Sequence, residues 1–216
     1  HEVTYTRVAG NGFEENDEVG VFALVGSSTM KEERYADNLR FFRTSEKVFE
    51  SSEPIYYPDD EVTLRLISYY PYQEEGVNMG ESTMSVAVET DQNLSAGYFC
   101  SDFLVASQNL QSAPKGAIAL HYDHKFFKLK IALVGKEGEE LQGILDADPK
   151  LSVCGFYTKA IYDFQKETYS AFSNEKSITP AGKWEIQGDR LSGKEVILIP
   201  QETTLGYQYI VLDVGG

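Results

Sequence analysis

Apolar and polar side chains alternate with a period of two along much of this chain, the pattern of half-buried strands. The stretch 116–134 shows it at greatest length. Ile118, Leu120 and Tyr122 point one way in its first half, whereas Phe127, Leu129, Ile131 and Leu133 point inward in its second half, in the opposite phase. One extra residue in a strand sends every later side chain to the other face. The pattern therefore predicts one long strand with a bulge or bend near 125–127, of the kind that passes from one sheet of a sandwich to the other. Further strands are predicted at 3–8, 19–25, 62–72, 83–88, 98–106, 151–157, 178–187, 195–200 and 206–214, with short pieces at 48–49, 55–57 and 144–145. Pro71 ends the strand at 62–72 or places it at a sheet edge. Residues 30–50 suit a helix by propensity and a strand by pattern, and their β surroundings favour the strand. Residues 160–173 are polar with spaced Tyr and Phe, and no amphipathic helix of ten residues stands out. Many short strands with turn signals every ~8–12 residues predict an all-β sandwich or barrel. The polar stretch 108–116, ending in Ala113-Pro114-Lys115-Gly116, sets a boundary between two predicted domains, 1–113 and 114–216.

Composition sharpens this picture. With 42% hydrophobic residues the chain can pack a core, and its 14 Tyr and 12 Phe against a single Trp suit β structure. Nineteen basic against 34 acidic residues give a net charge of −15, which argues against nucleic acid or an anionic membrane as a direct partner. No apolar run approaches the ~18 residues of a membrane span, and no basic segment precedes an apolar signal core. Composition leaves a cytoplasmic chain and a processed, exported one both open. Cys100 and Cys154 each sit in an apolar, strand-like context. They read as buried free thiols, with a bridge between them as the alternative.

The search for chemistry finds little. There is no GxSxG, P-loop, GxGxxG, CxxC or HExxH motif. His121 and His124 flank Asp123, but residues three apart in a strand face opposite sides, so only the bulge could bring both to one metal. Asp59-Asp60-Glu61 and Glu74-Glu75 lack the ligand rhythm of a calcium loop and read as solvated turns. Tyr56, Tyr57, Tyr69, Tyr70 and Tyr72 could form a sugar platform, although strand aromatics more often fill cores. No catalytic residue, metal site or cofactor is predicted.

Several stretches, in order, carry a resemblance. They are Phe13-x-x-x-Asp17-x-Val19-Gly20-Val21-Phe22, Ile55-Tyr56-Tyr57-Pro58, Ser68-Tyr69-Tyr70-Pro71-Tyr72, Asp91-Gln92 with Ser101-Asp102-Phe103-Leu104-Val105-Ala106, His124 in its strand, and Ile199-Pro200-Gln201. Together they resemble the fimbrillin family of Bacteroidales, pilus subunits made from outer-membrane lipoprotein precursors. The resemblance implies two β-sandwich domains of transthyretin-like topology and a cell-surface location, in the outer membrane or fimbrium. It implies membrane attachment only through a lipid on the precursor. It also implies removal of an N-terminal strand by a trypsin-like or arginine-specific protease, and assembly with other pilin subunits of the same or another kind by strand donation. Such a family has no catalytic site, and His124 becomes a packing or hydrogen-bonding residue. A host or bacterial surface ligand is a further implied partner.

Three expectations follow from that resemblance and the strand pattern. Arg7, in the first strand, is the candidate processing arginine. The second sandwich is expected to be incomplete, because family members usually continue beyond Gly216. The last strand, with Tyr207, Tyr209, Ile210 and Leu212, is the candidate edge or polymerisation strand. Its side bearing Ile210, Leu212 and Val214 is expected to face the core, beside 195–200 or 116–134. The alternative function is a surface carbohydrate-binding sandwich using Tyr69, Tyr70, Tyr72 or Trp184.

Overall fold

The computed structural model describes residues 12–58, 62–136 and 140–214. In chain order the elements are β1 (Glu18–Val25), β2 (Ala36–Arg43), β3 (Phe49–Glu50), β4 (Leu64–Tyr70), β5 (Thr83–Ala87), α1 (Ser95–Cys100), β6 (Leu104–Leu110), β7 (Asp123–His124) and β8 (Phe127–Val134). They continue as α2 (Leu141–Asp146), β9 (Lys150–Val153), β10 (Tyr157–Asp163), β11 (Thr168–Glu175), β12 (Glu185–Gln187), β13 (Arg190–Leu198) and β14 (Ile210–Asp213). Among the described residues strands hold 44% and helices 6%, so the all-β class is met. The strands form four sheets: β3-β2-β1-β4-β6-β7, β11-β10-β5, β12-β13-β8 and β14-β9.

The chain divides into two compact units. One comprises His1–Val86, Asp102–Lys125 and Ile161–Ser170, and the other Ala87–Ser101, Phe126–Ala160 and Ala171–Gly216. Each draws on both sides of residue 113, so these units differ from the contiguous halves that the 108–116 linker suggested. The linker is a break in composition, whereas the units follow pairing: β7 returns after it to pair with β6 through Leu104↔His124 and Val105↔Asp123.

The first unit is organised by its six-stranded sheet. β1 pairs with β4 in the register Phe22↔Ile67 and Ala23↔Leu66, and β4 pairs with β6 through Ile67↔Ser107 and Leu66↔Gln108. Alternation then sorts the side chains. Phe22, Arg65, Ile67 and Tyr69 stand on one face, and Val19, Val21, Leu64, Leu66 and Tyr70 on the other. On the first face Phe22, Tyr69, Phe103, Tyr162 and Phe164 form an aromatic cluster, with Phe22 stacked on Tyr69 at 5.8 Å and Tyr162 edge-on to Phe164 at 5.2 Å. Gly20 is required where it stands, because a Cβ there would come within 2.2 Å of the Tyr69 ring. β4 lies between β1 and β6, so Pro71 ends a central strand rather than marking an edge.

Arg34, only 6% exposed, ties loops of this unit together. Its Nε donates to Met30 O at 2.8 Å, and its two terminal nitrogens donate to Asp37 Oδ1 and to the carbonyls of Val77, Asn78 and Glu81. Its guanidinium lies 5.3 Å from the Phe22 ring centre. Asp163, the last residue of β10, accepts from the Ser82 hydroxyl at 3.0 Å and from the N–H groups of Gln165 and Lys166 at 2.9 and 3.3 Å. Burial works to raise its carboxyl, but these donors and the Lys166 ammonium outweigh it and hold the carboxyl below its usual range. The stability it contributes is therefore present above pH ~4 and lost as the pH falls through its lowered value. Asp163→Asn is expected to cost about 1 kcal/mol at pH 7, and progressively less as the pH falls through the lowered value. Thermal denaturation of both proteins across that range checks it; a constant difference at every pH would exclude the carboxylate as the cause.

In the second unit β13 pairs with β8, with a register shift between Leu191 and Lys194. Gln92, fully buried, pairs with the backbone of β13 by donating from Nε2 to Ile197 O at 2.9 Å and accepting from Ile197 N at 2.8 Å. Trp184 is buried and donates from Nε1 to Pro149 O at 2.9 Å.

Several predicted elements differ. Residues 116–122 form no strand, so the long strand predicted over 116–134 reduces to β7 and β8. The predicted break does lie between them, at 125–126, and they belong to different sheets. The segment 98–106 splits into α1 and β6, with Tyr98 buried and Cys100 exposed, so Cys100 is a free but not a buried thiol. Cys154 is also a free thiol. Residues 144–145 lie in α2 rather than a strand, and 55–57 lie in none. Residues 160–173 hold most of the β10–β11 hairpin, whose polar outward positions hid the alternation. The strand predicted at 3–8 lies outside the described residues.

Candidate functional site

The second face of the six-stranded sheet is incompletely covered. Val19, Val21, Leu64 and Leu66 form its floor and are buried by partly exposed neighbours, Phe41, Phe49, Ile55, Tyr57 and Tyr122 among them. Phe13 packs edge-on against Phe49, Tyr70 and Tyr122, at 5.1, 5.4 and 5.1 Å between ring centres. Around this floor runs an apolar groove of about 1180 Å³, lined also by Gly12, Phe13, Phe41, Ile55 and the non-strand segment 117–120. Two hydroxyls fix its walls: Tyr57 donates to Val62 O at 2.5 Å, and the Tyr122 hydroxyl lies 2.5 Å from Ser68 Oγ. An apolar trough beside sheet strands can accept the alternate side chains of an extended segment.

The other candidate element is β14. It pairs antiparallel with β9, through Ile210↔Val153, Val211↔Ser152, Leu212↔Leu151 and Asp213↔Lys150, and has no strand on its other side among the described residues. This corrects the expected neighbour, which was 195–200 or 116–134. The expected core face is also corrected: Ile210 is 42% exposed, Leu212 36% and Val214 49%, while Val211 on the opposite side is 40% exposed. Alternation assigns residues to two faces but does not say that either is covered. The strand is anchored upstream instead. The Tyr207 ring lies against Gly155, where a Cβ would approach within 2.3 Å, and φ of +73° is itself a glycine conformation. Tyr209 packs between Tyr207 and Phe156, with ring centres 4.8 and 5.0 Å away. An exposed apolar edge strand is a pairing surface.

The other sequence candidates separate clearly. Arg7 and Asp59-Asp60-Glu61 lie outside the described residues. His124 Nδ1 is 2.9 Å from Asp102 Oδ1, whose side chain is buried, and among the described residues no three His, Cys, Asp or Glu side chains are placed to hold a metal ion. Tyr69, Tyr70 and Trp184 are buried and Tyr72 lies under Arg40, so they present no exposed sugar platform. No helix among the described residues is long and apolar enough to cross a membrane. The groove itself was missed. Phe13, Phe41, Ile55 and Leu120 each looked like strand or turn residues, and only the fold brings them together.

Comparison with known proteins follows the same lines. A family model described as fimbrillin-like matches residues 6–216. Among solved structures, the chain is similar to a candidate cell adhesion protein from Bacteroides uniformis, with 20% identity, a TM-score of 0.63, and 93% of this chain and 73% of that one covered. It is also similar to a candidate cell adhesion protein from Bacteroides ovatus, with 14% identity, a TM-score of 0.61 and coverages of 89% and 70%. At these identities the likeness speaks to the fold. No curated protein matches.

Proposed function

The chain belongs to the fimbrillin-like family, and from that premise we propose that it is a structural, adhesive subunit of a cell-surface pilus, assembled by strand exchange. The observation that carries this reading is the apolar groove on the sheet of the first unit. Trypsin-like cleavage after Arg7 removes the residues before it, five positions from Gly12, which lines the groove. A strand from a neighbouring subunit then enters, supplying ladder hydrogen bonds and apolar side chains. β14 is the polymerisation strand: apolar on both sides, exposed, and held by only four residue pairs to β9. The β14-β9 sheet is in this reading an incomplete layer that a neighbouring subunit completes. A head-to-tail interaction of this kind does not close on itself and yields a filament of like subunits, or of this subunit with other pilins. Export as an outer-membrane lipoprotein precursor belongs to the same proposal.

Limited trypsin treatment of the purified chain tests it. Cleavage at Arg7 is expected to produce an SDS-resistant ladder in unboiled samples, and Arg7→Ala to leave monomer. A chain shown by mass spectrometry to be cut at Arg7 that nonetheless stays monomeric would sink the proposal.

A further inference from the structure

The aromatic face of the six-stranded sheet carries a second cleft of quite different chemistry. Its volume is about 400 Å³, toward the small end of the ~300–1,000 Å³ typical of small-molecule sites. The strand register builds it. Arg65 faces Asn109 and Ile67 faces Ser107 across β4 and β6, so all four stand side by side on one face. Ser27, Ser28 and Thr29 from the loop after β1, and Gln165 and Glu167 from the turn after β10, also line it.

Two groups in this cleft have bonding capacity that the protein does not use. Tyr162 is 1% exposed, and its hydroxyl is buried without a hydrogen-bond partner. Leaving such a group unpaired costs about 1–3 kcal/mol. Burial also pushes its ionisation up, so it remains a neutral donor. Arg65 is half-buried and makes one long contact, from Nη2 to Ser28 O at 3.5 Å. A guanidinium offers five N–H donors, and no carboxylate of the described residues pairs with this one, in a chain with 34 acidic side chains. The carboxylate on the cleft wall, Glu167, is already bound to Lys125 Nζ at 2.9 Å.

We infer that this cleft binds a small carboxylated polyhydroxy compound of the size of one acidic sugar. Its carboxylate lies on Arg65, since a guanidinium holds a carboxylate through two parallel hydrogen bonds. Its hydroxyls, each donor and acceptor, match Ser107, Asn109 and the Tyr162 hydroxyl. An orphaned donor, an unspent cation and a ring of hydroxyl and amide groups describe an acidic saccharide better than a neutral one or a simple anion. The inference does not rest on strand exchange, because the cleft lies on the opposite face of the sheet from the groove.

Calorimetric and NMR titration of the whole chain tests it, with D-glucuronate, D-galacturonate and N-acetylneuraminate as probes and D-glucose, D-galactose and acetate as controls. At least one acidic sugar is expected to bind saturably, about tenfold or more tighter than any control, and Arg65→Gln to weaken it by about tenfold. Tyr162→Phe is expected to weaken binding severalfold without lowering the Tm of the unliganded protein, because the lost hydroxyl bonded nothing. Absence of saturable binding by all three acids, equal binding of a control, or an unaltered affinity in Arg65→Gln overturns the inference. A lower unliganded Tm in Tyr162→Phe does so too, since the hydroxyl would then be spent on structure. If Arg65→Gln does not fold, Asn109→Asp supplies the same test at an exposed position: a carboxylate beside Arg65 engages its guanidinium and repels the carboxylate of the ligand, so about the same loss of affinity is expected, and unchanged binding there overturns the inference.

Discussion

Lysine at both Ile210 and Leu212 is expected to leave the protein folded and to abolish its protease-triggered ladder. Both side chains are more than a third exposed, and β14 is held to β9 by backbone pairing that lysine does not remove. Exposed substitutions of this kind cost within about 0.5 kcal/mol each. An incoming or donated strand, however, must bury these positions in an apolar trough, and an unpaired ammonium there is prohibitive. Lysine on an edge strand is also a common natural barrier to strand pairing. The double variant should therefore show an unchanged Tm and elute as a monomer after trypsin, where the parent chain forms ladders. A ladder of the same length in the variant would mean that β14 is not the polymerisation strand. Tyr207→Ala separates anchoring from pairing: loss of its contact on Gly155 loosens the approach to β14, and ladder formation should slow rather than vanish.

Arg34→Met is expected to lose about 3–5 kcal/mol of stability. The guanidinium is buried and serves four carbonyls besides Asp37. Methionine fills much of the volume but leaves those carbonyls without their donor, in surroundings that water reaches poorly. Lysine keeps the charge but not the planar fork that spans carbonyls of two loops, so Arg34→Lys should recover only part of the loss. Urea denaturation of the three proteins measures both values. A loss below 1 kcal/mol in Arg34→Met would show that the loops 30–34 and 77–81 are held together by something else.

Much of the first unit could be read from sequence because its strands are strongly patterned. The apolar run at 19–25 and the alternation at 62–72 gave β1 and β4 to within two residues, since each central strand buries one or both faces. The phase reversal near Phe126 coincides with the break between β7 and β8, where the chain leaves one sheet for another, although residues 116–122, which supplied the first phase, form no strand. The errors have causes of their own. α1 has six residues, an uncapped start at Leu94 and no charged residue in its terminal turns, so none of the usual helix signals is present and Tyr98, Phe99 and Cys100 read as strand. For β14 the alternation was read correctly but the inference of a buried side failed, because burial depends on what lies opposite. The two concave sites were not legible at all. Arg65 and Tyr162, or Phe13 and Leu120, become neighbours through pairing between distant segments, and nothing local in the sequence marks them.

The threading of the chain through its two units also governs the order in which the protein can be made. Unit 1 needs Ile161–Ser170, which carries Tyr162 and Phe164 of its aromatic cluster, and these leave the ribosome after Phe126–Ala160 of unit 2. The first 125 residues alone therefore expose Phe22, Tyr69 and Phe103 with their partners still unsynthesised. Folding by contacts so distant in sequence is slow. Until Ile161–Ser170 follow, the six-stranded sheet has all its strands but an uncovered aromatic face, a state in which exposed apolar surface meets the wrong partners. Completion arrives with one short hairpin, so the timing of that hairpin sets when the protein can safely be left unattended by chaperones.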